Sequence, residues 1–102
     1  MSQVKLAEQA TQDLGRFADF LSQAGVPHKT QDALQTILTA FERLASNPRA
    51  GKSYPLETIH PFYELVIKYG KSGYVALYAF DEEKDLVVIH AVRHQKEIGY
   101  HF

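Results

Sequence analysis

Cysteine is absent from this sequence. That excludes a disulfide framework, a thiolate zinc site and a thiol nucleophile, and it accords with a reducing compartment. Also missing is any large excess of one charge: eleven Lys and Arg stand against twelve Asp and Glu, for a formal net charge of −1. Proteins that grip nucleic acid usually carry a basic surplus, because phosphate neutralisation supplies much of their affinity. Nucleic acid is therefore not the default partner. No apolar run approaches the roughly 20 residues needed to cross a bilayer, and the opening residues lack the charged-then-apolar pattern of a secretory signal. A cytoplasmic protein with no membrane partner is expected. Neither internal repeats nor low-complexity tracts interrupt the chain. Residues 1–102 read as one domain with one modest core.

What is present is concentrated in the last third. FYELVIKY, a turn bounded by Gly70 and Gly73, YVALYAF, an acidic turn from Asp81 to Asp85, and LVVIHAVRH read as three antiparallel strands. Each run is rich in β-branched and aromatic residues, and each turn supplies Gly or Asp where the chain reverses. Upstream, Gln3–Leu6 alternates as a short edge strand. From Glu8 to about Gln23, Ala10, Leu14, Phe17, Ala18 and Leu21 fall on one helical face. Gly25 and Pro27 end that helix. A second helix is expected from an N-cap at Thr30, with Asp32 in its positive first turn. Leu34, Ile37, Leu38, Phe41 and Leu44 form its apolar stripe, and it stops at Ser46-Asn47-Pro48.

The stretch from Asn47 to Pro61 holds Pro48, Gly51, Pro55 and Pro61 and reads as an irregular connection, either functional or a crossover over the sheet. The expected architecture is α+β: a short N-terminal strand, an antiparallel two-helix hairpin and a three-stranded antiparallel meander. The helices should pack on one face of the sheet and leave the other partly open.

Five histidines invite a metal reading. His90 and His94, however, sit on a strand, where four residues span roughly 13 Å, too far to share a zinc with bonds of about 2 Å. His28 and His60 have no partner at ligand spacing, so no metal and no cofactor is expected. Arg93, His94 and Tyr100 form a better set: a cation for phosphate, an imidazole for proton transfer and a phenol to donate or stack. The structural alternative is that Arg93 pairs with an acidic neighbour and His94 caps the strand end. Strand alternation also points Arg93 and His94 to opposite faces. Lys52, Lys68 and Lys71 could form a basic margin. Tyr63, Tyr69, Tyr74, Tyr78 and Phe80 could stack bases, but they fit equally a core layer of cross-strand pairs. Ser53 and Ser72 lack a His-Asp context, and Gly70–Gly73 lacks the spacing of a phosphate-binding loop.

The element order, together with DLGRFADFL, GYVALYAF and LVVIHAVRHQKEIGY, resembles the RelE/ParE superfamily of toxins over nearly the whole chain. The closing AVRHQKEIGY is the most specific part. The resemblance implies a toxin of a type II toxin–antitoxin, or plasmid stabilisation, pair, neutralised by a cognate antitoxin across the open sheet face and the groove of the helix hairpin. Two mechanisms divide this superfamily. RelE-like members cut mRNA on the ribosome without a metal. On that reading Arg93 or His94 would hold or protonate the scissile phosphate, assisted by Tyr100 and Lys68. ParE-like members lack such a set and inhibit DNA gyrase. Where relatives often carry arginine before Glu-Leu on the first meander strand, this chain has Tyr63 before Glu64-Leu65. With its near-neutral charge, that places it nearer the ParE-like branch. A third reading is an inactive toxin fold kept as an antitoxin-binding protein. An exposed sheet edge or the helix hairpin would also suit a homodimer or a toxin–antitoxin hetero-oligomer.

Overall fold

A computed structural model describes residues 1–25, 27–55 and 58–102. The elements run β1 (Gln3–Leu6), α1 (Glu8–Gln23), α2 (Pro27–Ser46), β2 (Lys52–Tyr54), β3 (Phe62–Tyr69), β4 (Ser72–Asp81) and β5 (Leu86–His94). Among the described residues this is an α+β fold with two helices and a five-stranded sheet in the order β1-β5-β4-β3-β2. The sheet is mixed, because β1 lies parallel to β5 while the other pairs are antiparallel.

Three expectations need correction. The connection from Asn47 to Pro61 is not wholly irregular: Lys52–Tyr54 pair with Phe62–Glu64 and extend the meander to four strands. Three residues carrying Ser, Lys and Tyr between prolines offer too little periodicity to be seen. Pro55 ends that strand, and Leu56 and Glu57 lie outside the described residues. Second, α2 starts at Pro27, not Thr30. Proline suits the first helical turn, where its missing N–H has no partner anyway. Thr30 therefore lies inside the helix, its buried hydroxyl unpartnered among the described residues. Val26, read as part of the interhelical turn, lies outside the described residues. Third, Gly73 belongs to β4 rather than to the turn. The turn is Gly70-Lys71, since Tyr69 pairs with Ser72. Gly70 has φ +62° while Lys71 has ordinary φ, as in a type II′ hairpin.

The core lies between helices and sheet. Ala10 and Phe17 of α1 and Ala33, Ile37, Phe41 and Leu44 of α2 share one buried cluster with Tyr74, Ala76, Tyr78 and Phe80 of β4 and Val87, Ile89 and Val92 of β5. Even-numbered residues of β4 thus face the helices, as strand alternation requires. Their odd-numbered neighbours Val75, Leu77 and Ala79 are also buried, so the opposite face is not simply open. The C-terminal segment returns across it: the Tyr100 hydroxyl bonds to Glu64, the register partner of Leu77.

In β5 the spacing of core residues changes from two, at Val87 and Ile89, to three, at Val92. The cause is a β-bulge. Tyr78 pairs with Ile89 while Leu77 pairs with Ala91, leaving His90 as the extra residue. Its ring lies 5.1 Å from that of Phe62.

The β3–β4 hairpin is closed tightly enough to test. A Cβ on Gly73 would stand 2.1 Å from the Ile67 carbonyl oxygen, so the backbone would have to move. Gly73→Ala is expected to lose at least about 2 kcal/mol, as other forced backbone shifts do. Gly15→Ala, with nothing within 4 Å, should instead be neutral or gain up to about 1 kcal/mol. Urea denaturation of the two variants checks this.

Candidate functional site

β1 pairs with β5 only as far as Leu6 and Ile89. Beyond that point, among the described residues, the outer margin of β5 has no strand to receive its N–H groups. Asp13 of α1 fills the gap: its Oδ2 accepts the Val92 N–H at 2.8 Å, and its side chain is fully buried. The other oxygen, Oδ1, accepts from Gln9 Nε2 at 2.9 Å and Arg16 at 3.3 Å. Position 13 lies three residues after Ala10 and four before Phe17, on the buried stripe. That placement was the available signal, and the expectations above passed over it.

Arg16 also holds Glu97, with Nη1 at 3.2 and 3.1 Å from the two carboxylate oxygens. Glu97 accepts in addition the His94 N–H at 2.8 Å and lies 2.6 Å from the His101 ring. Burial alone would raise this carboxyl. The His94 N–H, the His101 ring and the Arg16 guanidinium outweigh it and hold the group below the usual carboxylate range. Asp13, Arg16 and Glu97 thus tie α1, β5 and the C-terminal tail together.

Arg93 and His94 do point to opposite faces. Arg93 lies beside Tyr100, its guanidinium carbon 5.3 Å from the ring centre. It donates to the carbonyl of Glu97 at 3.0 Å and, more weakly, to those of His94 and Gln95 at 3.4 Å. The expected acidic partner is therefore replaced by backbone oxygens of the tail. Burial pushes the Tyr100 phenol well up, and the hydrogen bond and charge of Glu64 push it further, with Arg93 only partly opposing them.

His94 sits on the helix side, edge-on to Tyr74 at 5.4 Å. Its Nδ1 accepts the Lys96 N–H at 3.1 Å, and Nε2 lies 3.2 Å from the Ser72 hydroxyl. An accepting Nδ1 makes the neutral ring the Nε2–H tautomer, which donates to Ser72. The imidazole lines a cleft of about 630 Å³ between α1 and the β3–β4 hairpin, with Phe17, Phe20, Leu21, Tyr69 and Tyr74 as its apolar walls. Arg16, Lys29 and Lys96 stand at the same cleft. Phe20 is 70% exposed there.

Lys68 joins neither group. Register places it on the Arg93 face, but two strand spacings away, roughly 10 Å. Lys52 and Lys71 are exposed. Tyr63, Tyr69, Tyr74, Tyr78 and Phe80 belong to or pack against the core; Tyr63 stacks on Tyr78 at 5.3 Å. They form the core layer rather than a base-stacking platform. His90 and His94 occupy opposite faces, and burial lowers the His90 pKa. Among the described residues no three His, Asp or Glu side chains converge as a metal site.

This geometry has counterparts. The chain superposes on a chain of the chromosomal ParDE system from P. aeruginosa with a TM-score of 0.73 at 19% identity, covering 92% of this chain and 96% of that one. It superposes on a chain of the toxin–antitoxin complex RelBE2 from Mycobacterium tuberculosis with a TM-score of 0.60 at 26% identity, covering 94% and 93%. The fold is thus that of the RelE/ParE toxins. Residues 4–99 match the family model of the ParE toxin of the type II toxin–antitoxin system parDE, and the chain belongs to that family. No curated protein sequence matches it.

The polar tie predicts a titration. A carboxyl held low in the folded state stabilises the fold fully above its ordinary pKa, 4.5 for glutamate, and loses that contribution as pH falls through the depressed folded value. Carboxyl-carbon NMR of Glu97 should give a midpoint below 4.5. Arg16→Ala should move that midpoint upward and Glu97→Gln should remove the tail's acid sensitivity. An unshifted midpoint in the unmodified chain would remove the tie.

Proposed function

We propose that this chain is the toxin of a type II toxin–antitoxin module, neutralised by a cognate antitoxin, and that it acts as a ParE-like, non-catalytic inhibitor of DNA gyrase. The observation that carries this reading is the occupation of Arg93 and Tyr100. The guanidinium is engaged by tail carbonyls and the Tyr100 ring, and the phenol is bound to Glu64 with its pKa raised. A phosphate-binding cation needs free donors, and a general acid works best with a pKa near the working pH. Neither group meets its requirement. Lys68 stands apart, and a net charge of −1 gives no general attraction to a ribosome. Gyrase inhibition by surface binding requires none of these. Membership in the ParE toxin family supports the same conclusion.

The apolar cleft beside His94 suits an amphipathic antitoxin segment, with Phe20 as the exposed anchor. Such a segment would meet Arg16, Lys29 and Lys96 at the cleft, so acidic residues flanking its apolar side chains would be favoured.

A second reading rests on the same cleft. His94 lines the cleft together with Arg16, Lys29 and Lys96, an arrangement that sets an imidazole for proton transfer near cations suited to a phosphate. It supports the RelE-like, ribosome-dependent mRNA endoribonuclease, with His94 rather than Arg93 as the acting group.

Purified chain in molar excess should block supercoiling by gyrase from a matched host while cell-free translation continues. Normal supercoiling together with a rapid collapse of translation, abolished by His94→Ala, would transfer the assignment to the nuclease. Normal supercoiling and normal translation would leave an inactive toxin fold that binds its antitoxin. For the cleft, Phe20→Glu should weaken antitoxin binding at least tenfold, as loss of an interface anchor does. Because Phe20 is largely exposed, the melting temperature should hardly change.

A further inference from the structure

The outer margin of β3 changes character halfway along. β2 pairs with Phe62, Tyr63 and Glu64; past Glu64 the described residues place no strand beside β3. The groups facing outward follow from the hairpin. Gln95 donates its N–H to the Gly73 carbonyl, so Gly73 turns toward β5. Its partner across the hairpin, Lys68, must then turn both N–H and C=O away from β4, and Val66 does the same two residues earlier. The margin therefore presents two donors and two acceptors.

Beside it runs α2, separated by a groove of about 900 Å³. The Tyr69 hydroxyl reaches the Lys29 carbonyl, 3.3 Å away, at the start of α2. At the other end, only residues 47–51 separate α2 from Lys52, which pairs with Glu64. The helix thus runs antiparallel to β3. Asp32 lies toward the Tyr69 end and Arg43 toward the Leu65 end; both are exposed and both line the groove.

We propose that this margin is a homodimer interface, in which β3 pairs antiparallel with β3 of a second copy about a two-fold axis at Ile67. Val66 then opposes Lys68 of the other copy, and every outward N–H meets an outward C=O. The same axis brings Arg43 of one copy to Asp32 of the other. Spacing agrees: Asp32 to Arg43 rises about 16 Å along a helix, and Leu65 to Tyr69 about 13 Å along a strand. The charge pairs, present twice, select this register over a parallel or shifted one. Val66, 57% exposed in the single chain, is covered. A lysine on a sheet margin discourages indiscriminate strand addition, yet here each Lys68 faces a valine rather than another lysine. None of this depends on the toxin's target.

Sedimentation velocity of the purified chain, from micromolar to hundreds of micromolar, tests the proposal. A concentration-dependent dimer is expected. Asp32→Arg or Arg43→Asp alone should raise the dissociation constant on the order of fivefold, and the double charge exchange should restore it. Val66→Pro removes an outward N–H but no bond to β4, and should give a monomer with an unchanged circular dichroism spectrum. Should that variant misfold, the charge exchange decides alone. A monomer at every concentration, or a double exchange no better than the single ones, overturns the proposal. So does a monomer whose β3 margin accepts only an extended segment of the antitoxin.

Discussion

A single buried carboxylate holds the architecture in register. β1 is only four residues long, so β5 outruns it and leaves a backbone N–H at Val92 inside the protein. An unpaired buried donor costs roughly 1–3 kcal/mol, and a strand margin without a partner frays. Asp13 removes both problems from the helix side. Its own burial is tolerable because Gln9 and Arg16 supply further donors. The position of α1 along β5 follows from this contact. Through Arg16 and Glu97, so does the path of the tail.

That tail determines which chemistry remains available. After His94 the tail passes from Glu97, bound to Arg16 of α1, to Tyr100 on the sheet face opposite the helices, and Arg93 and Tyr100 become its fastenings there. A cation and a phenol adjacent in space would ordinarily suggest an active site. Their hydrogen-bond partners say otherwise, because each is engaged by groups of the chain itself. His94 stands beside a cleft whose walls are mostly aromatic and apolar side chains, with Arg16, Lys29, Lys96 and Glu97 also lining it. A surface of this kind suits the capture of a protein segment better than the capture of a nucleic acid backbone.

Much of the fold could be read in advance, for physical reasons. The stripes through Phe17 and Ile37 and the alternation of β4 are long enough to stand above noise, and both helices and the last three strands are where periodicity put them. Strand β2 was invisible because three residues carry no period. The parallel pairing of β1 could not be read because pairing direction is decided by tertiary packing. The site was legible in outline only. Arg93, His94 and Tyr100 were singled out by residue type, and the opposite facing of the first two followed from alternation. Glu64 lies 36 residues from the Tyr100 it binds and Arg16 lies 81 residues from Glu97, beyond any local signal, whereas Glu97 is only three residues from the His94 N–H it accepts. Lys68 was grouped with them by charge, and register separates it.

The bulge at His90 gives β5 a residue it can lose without losing its phase. With that residue removed, Ile89 would be followed by Ala91 and Val92, and regular alternation would keep Val92 and His94 on the helix side and Arg93 on the tail side. Loss of one codon at that point would thus straighten the strand and leave the same imidazole in the cleft. Ironing the bulge out with His90 retained would do the opposite, taking Val92 out of the core and turning Arg93 toward the helices. The irregularity is a reserve of length that insulates the displayed side chains from a short deletion.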